Sequence, residues 1–112
     1  MSVTKTQGHD FNFFQKVTCT WSNFGGGPGF NNKSDGASPD IAITFSTQGF
    51  ILTNEDTSAI IEVSYNGTTV HDEINPAIMK SITYDNRRNS LMWFRLKTGG
   101  SAVISVRAWA IP

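Results

Sequence analysis

Side chains able to ligate metal or act as nucleophiles are scarce in this chain. His9, His71 and Cys19 are its soft ligand types. They stand far apart, and none repeats at the spacing that zinc sites use. Cys19 falls between Val17 and Trp21 in an alternating stretch, where a buried, inert thiol is expected rather than a reactive one. The run Gly25-Gly-Gly-Pro-Gly29 is followed neither by Lys-Ser/Thr nor by a helix pattern, so it lacks what a P-loop needs to cradle phosphate. Glu55-Asp56 and Asp72-Glu73 are paired acids without a loop of alternating oxygen ligands. They read as solvated turn carboxylates rather than a calcium site. Asn32-Lys-Ser34 and Asn66-Gly-Thr68 match the glycosylation triplet. Met1–Gly8 has no apolar leader, so both are read only as turns. The expectation is a protein that is not an enzyme and has no metal or cofactor.

What remains is recognition chemistry, and it concentrates near the C-terminus. Leu91-Met-Trp-Phe-Arg-Leu-Lys97 and Ala102-Val-Ile-Ser-Val-Arg-Ala-Trp-Ala110 both alternate, with Thr98-Gly-Gly-Ser101 between them. They read as a final hairpin, and loop length decides which residues share a face. A two-residue Gly99-Gly100 turn would put charge on both faces. An odd-length loop collects Met92, Phe94 and Leu96 with Ala102, Ile104, Val106 and Ala108 on one apolar face. It leaves Trp93, Arg95 and Lys97 with Val103, Ser105, Arg107 and Trp109 on the other. Burying an unpaired Arg costs several kcal/mol, so the odd loop is expected. Trp93, Arg95, Arg107 and Trp109 then form an outer surface with three readings. Trp rings shielded by Arg stems would be a solvated sheet. A subunit interface would use the residue types enriched at hot spots, and this reading is favoured. A sugar-stacking platform is the third.

These residues need strands to position them. Short alternating runs recur along the chain, and no window shows helical periodicity. Phe11 and Phe13 precede Val17, Cys19 and Trp21. The stretch holding Phe11, Phe13 and Phe14 reads as an extended arm that docks on a neighbour or on its own domain, and it joins the candidate interface. Residues 24–40 form a long Gly-rich loop of turn-forming residues. Beyond it, strands are expected at Ile41–Ser46, Phe50–Thr53, Ala59–Tyr65, Thr68–Asp72 and Ser81–Tyr84. Asn66-Gly67 signals a two-residue hairpin, which would set Val63 opposite Val70 and Glu62 opposite His71. Ile74–Ile78 reads as a connector, since Pro76 excludes a central strand. About seven or eight closely spaced strands predict an all-β antiparallel sandwich, Ig-like or jelly-roll-like. Residues 1–40 would supply arm, strand and loop, and residues 41–112 the body.

Composition narrows the function. At 112 residues the chain is expected to form one domain around one core. Hydrophobic residues make up 38%, and charged residues only 16%, below the roughly 25% of ordinary domains. Nine basic and nine acidic residues leave no net charge, and weakly charged proteins near neutrality tend to associate. Nucleic-acid binding, which uses a basic stripe, is not expected. No run approaches the roughly 20 apolar residues of a membrane span. One cysteine permits no internal disulfide, and a cytosolic origin is expected.

A resemblance adds to this. Phe45-Ser-Thr-Gln-Gly-Phe-Ile-Leu-Thr-Asn-Glu55, Val63-Ser-Tyr-Asn-Gly-Thr-Thr-Val-His71, Tyr84-Asp-Asn-Arg-Arg88, Trp93-Phe-Arg-Leu96 and Val106-Arg-Ala-Trp-Ala110 together resemble small virion proteins of tailed bacteriophages. The match covers residues 41–110 and is a pattern of strands and turns with no catalytic signature. It implies a β-sandwich, an architectural role in the virion and a homo-oligomer that binds other virion proteins. Head decoration or cement is favoured over a neck, tail or fibre position, with a carbohydrate-recognition module as the alternative.

Overall fold

The computed structural model describes residues 11–21 and 39–110. His9, residues 1–10 and most of the Gly-rich loop lie outside the described residues. Eight strands follow one another: β1 (Phe11–Cys19), β2 (Ile41–Ala42), β3 (Gly49–Asn54), β4 (Ile60–Ser64), β5 (Asp72–Ile74), β6 (Ser81–Tyr84), β7 (Leu91–Thr98) and β8 (Ala102–Ala110). No helix occurs among the described residues. The strands form two antiparallel sheets, ordered β1-β8-β3-β6 and β2-β7-β4-β5. Pairing is nested: β1 with β8, β2 with β7, β3 with β6 and β4 with β5. The chain is therefore one long hairpin rolled over itself, which is the jelly-roll form of the sandwich.

Alternation explains the core. β3 buries Phe50, Leu52 and Asn54, β4 buries Ile61 and Val63, and β5 buries Ile74. Each large apolar side chain removed from water contributes about 1.5–3 kcal/mol. Met92, Phe94 and Leu96 meet Ala102, Ile104, Val106 and Ala108 in the same cluster, all nearly inaccessible. The expected inner faces of the last two strands are thus correct.

Their partnership is not. β7 and β8 do not form a hairpin but belong to opposite sheets, and Gly99–Ser101 carries the chain across. Two strands that each have one apolar face can lie side by side or face to face across a core. Both arrangements bury the same residues, so alternation cannot separate them. Ala59 presses against the crossing. A Cβ on Gly99 would stand 2.7 Å from the Ala59 Cβ, and its φ of 89° lies in the left-handed region, where glycine alone is free of strain.

The Asn66-Gly67 hairpin is also corrected. Val63 pairs with Asp72 and Glu62 with Glu73, two residues from the expected register, so the return strand is Asp72–Ile74 rather than Thr68–Asp72. Only Gly67 has positive φ here, whereas the expected turn needs it at both central residues. A wider loop forms instead. The Asn66 Oδ1 accepts the N–H groups of Thr68 and Thr69, both at 2.9 Å, and the Ser64 Oγ accepts that of Gly67 at 2.8 Å. The shift is even, so Asp72 and Glu73 pair with no change of strand face, but Val70, expected beside Val63 on the core face, is displaced into the loop and is 39% exposed.

The strand expected over Ile41–Ser46 shortens to Ile41–Ala42, although Ile41 and Ile43 are buried. This segment must change sheets. The Ile43 N–H donates to the Ser90 carbonyl beside β7, and the Gln48 N–H donates to the Trp109 carbonyl on β8, each at 2.8 Å.

Candidate interaction surfaces

Because β7 and β8 lie in opposite sheets, their outward residues look away from each other. The single surface of Trp93, Arg95, Arg107 and Trp109 is therefore split between the two outer faces of the sandwich.

On the β7 face the groups are satisfied locally. Trp93 is only 7% exposed. It sits opposite Ser64 on β4, and the Gly67 backbone folds so closely over it that a Cβ there would stand 3.0 Å from the indole. The Arg95 Nε donates to the Glu62 Oε1 at 2.7 Å, and the Lys97 Nζ donates to the Glu73 Oε1 at 2.9 Å. Glu62 thus meets Arg95 and not the expected His71, whose Nδ1 instead accepts the Tyr65 N–H at 3.0 Å. The indole is covered and the charges are matched over most of this face, and Leu91 at the start of β7 remains 40% exposed.

The β8 face keeps part of the expected character. Register across the first sheet aligns Phe14, Arg107, Ile51 and Thr83 in one row, with Asn12, Trp109 and Gly49 in the next. The Arg107 guanidinium lies over the Phe14 ring, 4.9 Å from its centroid. Phe14 is 54% exposed. Trp109 is half-buried because its indole lies on Gly49, where a Cβ would stand 2.5 Å from Cζ2. Phe14, Arg107 and Trp109 thus form one aromatic-basic patch.

β1 supplies the rim of that patch. The expected arm and the following strand are one continuous element, paired with β8 from Phe11↔Ala110 to Cys19↔Ala102. Phe13 and Val17 turn inward and pack on the core, so Phe13 is an internal anchor. The Phe11 side chain is outside the described residues. Cys19 is fully buried, with its Sγ–H directed to the Trp21 carbonyl at 3.5 Å. Trp21 then ties β1 to the other sheet, its Nε1–H donating to the Phe94 carbonyl at 2.6 Å.

The opposite edge carries a second apolar site that the sequence reading passed over. Pro76–Ile78 form the turn between β5 and β6. Ile78 is 81% exposed and Met79 60%. The signal in the sequence was weak, because two apolar residues beside Pro76 look like any connector.

A polar cluster was also missed. The Tyr65 and Tyr84 hydroxyls both donate to the Asp72 Oδ2 at 2.7 Å. The Arg87 guanidinium lies 4.6 Å from the Tyr65 ring centroid and 4.7 Å from that of Tyr84, while His71 stacks on Tyr65. Burial, followed by the hydrogen bond to Asp72, raises both phenols above their ordinary pKa, so they remain donors. Tyr65 forms one wall of a groove of about 490 Å³ with Phe45, Ser46, Arg88 and Leu91. The residues involved come from separate segments of both sheets, and the packing of β6 against β4 and β5 brings them together. Among the described residues, no three His, Cys, Asp or Glu side chains are grouped to hold a metal.

No protein-family model matches this chain, and no curated protein matches it.

Proposed function

We propose that this protein is a non-enzymatic structural component of a tailed-bacteriophage virion, acting through contacts with copies of itself and with other virion proteins. Head decoration is the favoured position. One observation carries the reading: exposed apolar side chains stand at both edges of the sandwich. Phe14 lies on the β1 edge, and Ile78 and Met79 lie on the β5–β6 turn. A subunit with sticky groups on opposite edges can touch two neighbours, as a lattice component must. Jelly rolls occur in viral capsid domains and also in lectins, so the fold alone adds only analogy. Low charge and zero net charge favour association in the same direction.

The test is sedimentation of the purified chain with particles from the phage that encodes it. Binding that Ile78→Asp/Met79→Asp abolishes, in a variant with unchanged circular dichroism, supports the proposal. Failure of the wild-type chain to sediment with particles contradicts it.

The groove beside Tyr65 favours carbohydrate recognition as a second reading, because aromatic walls, hydroxyls and Arg88 are suited to a sugar. The two tryptophans fit it less well, since Trp93 is covered and Trp109 has one indole face on Gly49. Binding on a glycan array that Arg88→Ala removes would support this alternative.

A further inference from the structure

Edge strands expose unpaired backbone donors and acceptors, and proteins usually blunt them with short length, proline, bulges or charge. Three edges here follow that rule: β2 has two residues, β5 three and β6 four. β1 does not. It runs for nine residues, Phe-Asn-Phe-Phe-Gln-Lys-Val-Thr-Cys, without proline, glycine or a break in its register with β8. Its one charge, Lys16, is bridged to Glu55 at 3.1 Å. Among the described residues β8 is its only strand partner.

We propose that β1 is a homotypic docking edge, pairing antiparallel with β1 of a second copy about a two-fold axis at Gln15. This names the partner for the assembly reading above and rests on it. The strand is self-complementary in this register. All nine residues find partners, because Gln15 is the central residue of Phe11–Cys19. Phe13 falls opposite Val17 of the second copy on the inner face, joining two side chains that already pack on a core. On the outer face Phe14 falls opposite Lys16 of the second copy, giving a cation–π pair beside the existing Arg107 contact. Gln15 meets its own copy, and two amides can exchange hydrogen bonds. Moving the axis to Lys16 would oppose two ammonium groups, which is destabilising. Moving it to Phe14 would leave Thr18 and Cys19 unpaired and set Phe13 against Gln15. The two four-stranded sheets become one sheet of eight, with an isologous interface.

Sedimentation velocity across a concentration series tests this on the full chain. The wild type is expected to shift from monomer to dimer as concentration rises. Phe14→Lys places a lysine opposite Lys16 of the second copy and is expected to raise the dissociation constant about tenfold or more. Adding Lys16→Glu restores opposite charges across the axis, and the double variant is expected to regain the dimer. Phe14 is exposed, so circular dichroism should be unchanged throughout. A wild type that stays monomeric, a dimer indifferent to Phe14→Lys, or a double variant that is not rescued would each overturn the register proposed. Protected amides on the outer edge of β1 in a monomeric sample, read by hydrogen exchange, would show that the chain covers this edge itself and would also overturn it. Sedimentation with particles is scored separately, so loss of the dimer and loss of virion binding are distinguishable.

Discussion

Asn54 joins two crossings of the interior. It is fully buried. Its Nδ2 donates to the carbonyls of Ala59 at 2.8 Å and Ile74 at 3.2 Å, while its Oδ1 accepts the Asp56 N–H at 3.0 Å. Asn54→Leu keeps the volume and orphans all three groups, so a loss of about 2–4 kcal/mol is expected in urea unfolding. Asp56 continues the same turn. Its carboxylate accepts the N–H groups of Ala59 at 2.7 Å and Ser58 at 3.0 Å, which holds its pKa below the usual 3.8, with Ala59 the larger cause. A carboxyl depressed in the folded state stabilises above its unfolded pKa and loses that contribution as pH falls through the folded value. Lys16 lowers Glu55 in the same sense. The melting temperature should therefore fall as pH drops from about 4 toward 2, and Asp56→Ala should flatten that fall. The Asp56 bonds are local, two and three residues along the chain, and fit the turn that Glu55-Asp56 suggests. The bonds of Asn54 to Ile74 and of Lys16 to Glu55 depend on where β5 and β1 lie and were not legible in the sequence.

At the scale of elements, alternation revealed which side of a strand is buried and not which strand lies beside it. Met92, Phe94, Leu96, Ile104 and Val106 occupy the inner faces expected of them, yet β7 and β8 look at each other across the core. That single difference separates Trp93 and Arg95 from Arg107 and Trp109. The Asn66-Gly67 signal erred for a different reason: the side chains of Ser64 and Asn66 compete for the loop amides. Ser81–Tyr84 was legible in full, because Lys80 and Asp85 bound a clean four-residue alternation. Trp109 shows what register adds. It lies over Gly49 at a distance that leaves no room for a side chain, and a Cβ would also come within 2.6 Å of the Tyr84 carbonyl oxygen. Gly49→Ala should cost about 1–3 kcal/mol by overpacking. Thermal unfolding would show it, with a concurrent change in tryptophan fluorescence.

For the whole molecule, the jelly roll gives one outer face whose charges are paired and whose Trp93 is covered, and one aromatic-basic outer face. Apolar contact points stand at both of its edges. The low charge that suggested assembly in the sequence has a structural counterpart. Ion pairs on the β7 face are internally matched. Among the described residues the most exposed large apolar groups are Phe14 on one edge strand and Ile78 and Met79 on the opposite turn, followed by Leu91 and Val70. The proposed role in a virion rests on that distribution together with the resemblance carried by residues 41–110. The decisive test of that proposal is quantitative mass spectrometry of purified phage particles from cells that express the chain. This chain is expected in the particle, at a copy number matching a symmetric array and retained through density-gradient purification. A particle that lacks the chain, while the protein is abundant in infected cells, would contradict it.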